Sequence, residues 1–116
     1  MPDGIGDIEM KRCIVGIRRP GELEVAAKGR DVPTVWFPSM ATMAAVLSED
    51  NRALLRIIRD AKPKTLTELA ALSGRQVPNL SRTLRMMAGY GLVKLKRNVR
   101  EIEPITLATE FLVVLD

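Results

Sequence analysis

The chain contains no histidine and a single cysteine, Cys13, in 116 residues. One cysteine closes no intramolecular disulfide. Zinc centres built on Cys and His, and catalytic arrangements built on His, are excluded by inventory. Aromatic residues are equally scarce, at 3% of the chain. Proteins that hold single strands stack bases on aromatic rings, so RNA binding is disfavoured. No apolar run approaches the roughly 20 residues needed to cross a bilayer; the longest lie around Ile14 and from Phe111 to Leu115. The N-terminus carries Asp3, Asp7 and Glu9 and lacks the basic start and apolar stretch of a secretory signal. The expectation is a cytoplasmic protein without membrane association.

Carboxylates are missing from one long segment. From Leu69 to Arg100 the sequence holds seven basic residues (Arg75, Arg82, Arg85, Lys94, Lys96, Arg97 and Arg100) and no Asp or Glu. The full chain has 18 basic and 14 acidic residues, so eleven basic face fourteen acidic elsewhere: +7 in this segment, −3 in the remainder. Each carboxylate removed from a surface that meets a polyanion removes a repulsion, so the pattern points to phosphate. The plain alternative is a solvated basic face with no ligand. The acids that remain form no pair near a Gly-rich loop and no metal-ligand spacing, so the chain is not expected to be an enzyme or to hold a metal or cofactor.

What is present reads as one compact unit with a short arm, at 47% hydrophobic and 28% charged residues. Residues 1 to 9 read as a frayed tail. Cys13-Ile14-Val15-Gly16-Ile17 reads as a strand with Cys13 buried in it. Pro20 to Gly29 reads as a short helix, with early acids, a late Lys and a closing Gly. Asp31-Val32-Pro33 then breaks the chain. This divides a β-α arm, residues 1–33, expected to serve dimerisation, from a domain spanning 34–116. There Thr34-Val35-Trp36-Phe37 reads as a short strand ended by Pro38, with Trp36 and Phe37 in the core. Ser39 caps a helix with Met40, Met43, Ala44 and Leu47 as its stripe. Ser48 caps another, from Glu49 to Ala61, with Leu54, Leu55, Ile58 and Ala61 inward and Arg52, Arg56 and Arg59 outward.

Thr65-Leu66-Thr67-Glu68 fits a capping box, and the helix it opens buries Leu66, Leu69, Ala70 and Leu72 before stopping at Ser73-Gly74. Pro78 suits the first turn of a second helix. Here Val77, Leu80, Leu84 and Met87 share one side, while Pro78, Arg82, Arg85 and Met86 point the other way, with Asn79 on a flank. Two short helices joined by about three residues form a helix-turn-helix whose second helix presents its exposed side to base edges. Arg82 is expected to read guanine and Asn79 matches adenine; Arg85 is left open between base and phosphate. Arg75, Gln76, Pro78 and Ser81 complete the expected contacts on this element. Leu92 to Lys96 then alternates as a half-exposed strand, Arg97-Asn98-Val99-Arg100 reads as the turn, and Glu101 to Ile105 returns. In this wing Lys94, Lys96, Arg97, Asn98 and Arg100 are placed to meet backbone phosphates or a minor groove. Phe111 to Leu115 is expected to be buried. Met40, Met43, Met86 and Met87 read as core filler.

The stretches Val35 to Phe37, Leu47 to Leu55, Leu66 to Ala70, Gly74-Arg75, Asn79-Leu80-Ser81-Arg82-Thr83-Leu84 and Gly91 to Val93 resemble the MarR-like winged-helix regulators of prokaryotes. In particular they are similar to a compact branch of DNA-binding and antitoxin-like proteins. The resemblance implies a homodimer on a palindromic operator. Larger members of that family dimerise through long terminal helices, which a short arm and a β-rich tail replace here. The expected fold is α+β, mainly α: a winged helix-turn-helix with a short N-terminal β-α arm and a C-terminal β-rich tail. The expected function is sequence-specific binding of double-stranded DNA by a dimeric transcriptional regulator, a repressor. The alternative is a protein interaction module, or an antitoxin-like partner of a toxin.

Overall fold

The computed structural model describes residues 12–18 and 32–115. The elements are β1 (Cys13–Ile17), β2 (Val35–Phe37), α1 (Met40–Val46), α2 (Glu49–Ala61), α3 (Leu66–Ser73), α4 (Val77–Gly89), β3 (Val93–Asn98), β4 (Glu101–Thr106) and β5 (Phe111–Val114). The described residues therefore form a small α+β domain of four helices and two sheets. The tail at residues 1–9 and the short helix expected from Pro20 to Gly29 lie outside the described residues.

Local chemistry sets the helix ends. Ser39 Oγ accepts from the Thr42 amide at 3.0 Å, Ser48 Oγ from Asn51 at 3.1 Å and Thr65 Oγ1 from Glu68 at 3.0 Å. Each bond pairs an amide that the first turn of a helix leaves without a partner. The Glu68 carboxylate reaches back as well, to the Lys64 amide at 2.8 Å, one residue earlier than a regular capping box places it. At Gly74 the backbone takes φ 78° and its N–H donates to the Ala70 carbonyl at 2.9 Å, turning the chain out of α3 in a conformation that costs a residue with a Cβ.

Leu54, Leu55 and Ile58 of α2, Leu69 of α3, and Leu80, Leu84 and Met87 of α4 are fully buried and form the core with Leu92. The expected stripes need correction at their ends. On α3, Leu66, Leu69, Ala70 and Ser73 fall within an arc of about 100°, and Leu72 lies outside it; Leu72 is 52% exposed. In α1, only seven residues long, Met43 and Val46 are buried while Met40 and Ala44 stay on the surface. Val77 and Ala61, the first residue of α4 and the last of α2, are exposed because the helix ends project past the core. Of the four methionines read as core filler, Met43 and Met87 are buried; Met40 and Met86 are not.

One sheet has the order β2-β1-β5 with both pairings parallel; Val15 is opposite Val35 on one side and Val113 on the other. Side chains alternate across a strand. Val15, Val35 and Phe37 point into the core, with Cys13, Ile17 and Phe111 packed against it. Ile14, Trp36, Leu112 and Val114 take the opposite face. β1 is thus the middle strand, sharing one core with residues 34–115, and Ile14 offers no free strand edge. Phe37 meets Tyr90 at the end of α4 with ring centroids 4.6 Å apart, joining the sheet to the helices. Cys13 is half-buried, and burial raises its thiol pKa above the ordinary value, opposed by a hydrogen bond with Thr34. The apolar run at the C-terminal end is less buried than expected. β5 is an outer strand, leaving Val113 41% and Leu115 56% exposed.

The second sheet is the β3–β4 hairpin, registered from Val93 opposite Thr106 to Asn98 opposite Glu101. Its loop is Val99-Arg100 alone, so Arg97 and Asn98 belong to β3 rather than to the turn. No helix among the described residues is long and apolar enough to cross a membrane.

Candidate nucleic-acid interface

α3, the turn at 74–76, α4 and the hairpin carry all the site residues expected from sequence. Burial of Leu80, Leu84 and Met87 orients α4 so that Pro78 and Arg82 face directly outward. Arg85 and Ser81 lie toward the hairpin, and Asn79 and Met86 on the other flank. Gln76, Pro78, Asn79, Arg82 and Arg85 are exposed; Ser81 is half-buried. The first turn of α4 has no acidic residue and its N-cap, Gln76, makes no side-chain cap bond. Amides at an uncapped helix start, with the positive end of the helix dipole, suit an anion.

Arg75 behaves differently from the others. It is half-buried and its Nη2 donates to Asn51 Oδ1 at 3.1 Å. Asn51 is buried, and its Nδ2 donates to the Val46 carbonyl at 3.0 Å. The guanidinium is thereby tied to the corner between α1 and α2.

The hairpin sorts its cations by register. Val93, Leu95 and Arg97 share the face that continues the buried positions, opposite Thr106, Pro104 and Ile102. Lys94, Lys96 and Asn98 share the other face with Glu101 and Glu103, and Arg100 sits at the tip. Glu103 Oε2 accepts from Lys64 Nζ at 3.5 Å, so this carboxylate is paired with the residue leading into α3. Between α4 and the hairpin lies a cavity of about 180 Å³ whose polar lining is Ser81, Arg85 and Arg97. No carboxylate lines it.

Two features escaped the sequence reading. Asn51 is one, although a polar residue in line with Leu54, Leu55 and Ile58 on the buried stripe of α2 was a usable signal. The convergence of Arg85 and Arg97 is the other, and its signal was the strand alternation, obscured by a turn read as four residues.

A family model, HVO_A0114, matches residues 46–112, more than half of the chain. The match runs from the last residue of α1 into β5 and includes α2, α3, α4 and the hairpin. No curated protein matches the chain.

Proposed function

We propose that this chain, which belongs to the HVO_A0114 family, binds double-stranded DNA through a winged helix-turn-helix. In this reading α3 and α4 are the two helices, α4 enters the major groove, and the β3–β4 hairpin is the wing. The observation that carries it is one of charge and placement together. Arg82 and Arg85 on the outer side of α4, and Lys94, Lys96, Arg97 and Arg100 on the hairpin, lie in a segment without a carboxylate from Leu69 to Arg100. A surface that met proteins alone would have no reason to exclude acids from both α4 and β3.

Within this reading Arg82, Asn79 and Pro78 approach base edges, and the hairpin cations neutralise backbone charge. The protein acts as a MarR-like transcriptional regulator, repressing by occupying its operator. One such module covers few base pairs, and a two-fold dimer on palindromic half-sites about 34 Å apart supplies the missing affinity. Sequencing the duplexes that the purified protein enriches from a random pool tests all of this together. A palindromic consensus is the expected result; no enrichment over the starting pool would overturn it.

A second reading is favoured by the exposed apolar residues Val113 and Leu115 at the outer strand. There the same fold grips a protein, as an antitoxin-like partner does. Sedimentation of the intact chain as a 12.8 kDa monomer would favour it over the homodimer.

A further inference from the structure

We infer that Arg85 and Arg97 together hold one backbone phosphate of the bound duplex, in the cavity between α4 and the hairpin. This rests on the DNA-binding reading above and assigns a site within it.

The two arginines come from separate elements and arrive in one place. Arg97 lies on the helix-facing side of β3, in line with Leu95 and opposite Ile102. Arg85 lies one turn after Ser81 on the hairpin side of α4. Both line the cavity of about 180 Å³ with the Ser81 side chain, above a floor that includes Leu84, Leu95 and Ile102. A cavity of this size has room for a phosphate group. Two guanidiniums lining one cavity repel each other, and no carboxylate lines it to offset this. Glu101 and Glu103, which flank Ile102 on the partner strand, have their side chains on the other face, and Glu103 is paired with Lys64 at 3.5 Å.

An anion between the two arginines removes the repulsion, and the guanidinium fork fits phosphate oxygens in pairs. The geometry of a duplex supplies that anion. With α4 in the major groove and the hairpin reaching toward the minor groove, the sugar-phosphate strand dividing the two grooves passes between them. Ser81 adds a hydroxyl donor. Arg85 is thereby a phosphate ligand rather than a base reader, which leaves base discrimination on α4 to Arg82 and Asn79.

The test uses the intact protein, a duplex enriched from the random pool and a random duplex of equal length. Arg85→Gln, Arg97→Gln and the double variant are titrated at several salt concentrations. Both side chains are exposed, so circular dichroism melts should match wild type. Because the arginines share one phosphate, the log-log salt slope should fall by about 0.9 per half-site in the double variant, so about 1.8 for a bound dimer, not by about 1.8 per half-site as for two separate phosphates. Each single change should weaken binding about tenfold on both duplexes, and the double change by much less than the product. A neutral methylphosphonate walked along the backbone should show one sensitive position per half-site, silent in the double variant. Additive losses, a slope change near about 1.8 per half-site, or an Arg85→Gln loss confined to the enriched sequence would overturn the shared phosphate while leaving DNA binding intact. So would saturation of the pocket by millimolar inorganic phosphate with no effect on duplex affinity, since the pocket would then serve a free anion. Failure of the wild-type protein to bind either duplex would instead overturn the DNA-binding reading itself.

Discussion

The Arg75 guanidinium and the buried amide of Asn51 are joined across 24 residues by a hydrogen bond of 3.1 Å. Asn51 spends its Nδ2 on the carbonyls of Val46 and Ala45, at 3.0 and 3.4 Å, which closes the corner between α1 and α2. Its Oδ1 takes the Arg75 donor, so the turn before α4 is fixed to that corner. Removing the guanidinium leaves a buried carbonyl oxygen without this partner, a loss of about 1–3 kcal/mol. Arg75→Ala should therefore lower the urea midpoint with no change in slope. In a double-mutant cycle with Asn51→Ala the two losses should not add. A variant of wild-type stability that loses only DNA affinity would return Arg75 to the interface.

Gly16 sits beneath the indole of Trp36. A Cβ at this position would stand 2.8 Å from Trp36 Cζ3 and 3.0 Å from Pro33 Cγ. The ring is not free to move, because it lies against the sheet beside Pro33 with the Arg18 guanidinium 5.0 Å from its centroid. Gly16→Ala should destabilise the fold by about 1–3 kcal/mol through overpacking. Thermal melts with tryptophan fluorescence report both the loss and the displaced ring. An unchanged melt and emission maximum would show that the indole yields at little cost.

The features legible in the sequence were the ones decided by neighbours a few residues apart. Ser39, Ser48 and Thr65 cap helices, and Gly74 ends one, through bonds that span three or four residues. The stripe Leu80, Leu84, Met87 needed only helical spacing. The parallel sheet was not legible, because Val15 pairs with Val35 and with Val113 near the other end of the chain, and no local pattern encodes a partner at that distance. This is why β1 read as part of an arm although it is a middle strand. At the candidate site the arginines of α4 were legible as exposed positions on a helix. The face taken by Arg97 was not, since placing the turn at residues 97–100 instead of Val99-Arg100 removes Arg97 from the strand alternation.

Val99 is the first residue of the hairpin loop, with φ 25° and its surface 96% exposed. Positive φ is costly for a β-branched residue, and a side chain in open solvent recovers nothing by packing. Two-residue loops favour Asn or Gly here. Val99→Asn should raise stability by about 1 kcal/mol. Chemical denaturation of the two proteins side by side would measure the gain, and an equal or lower midpoint would show that the tip carries no strain.

Arg82 and the lysines of the hairpin should separate by what kind of DNA they distinguish. Arg82 faces straight out from α4, one turn beyond Pro78, where a helix in the major groove brings a guanidinium to the O6 and N7 of guanine. Lys94 and Lys96 lie on the outer face of β3, away from α4, where only backbone charge is within reach. Arg82→Ala should weaken binding to the enriched duplex by about 1–3 kcal/mol and leave random duplex nearly untouched. Replacing Lys94 and Lys96 with Gln should weaken both duplexes alike and flatten the salt slope by at most about 1.8 per half-site, the share of two phosphates. Fluorescence anisotropy with the two duplexes at several salt concentrations measures both effects in one series. Equal losses on enriched and random DNA for Arg82→Ala would place its guanidinium on a phosphate. If Arg85 also holds a phosphate, as proposed above, base discrimination by α4 would then fall to Asn79, whose amide matches the N6 and N7 edge of adenine.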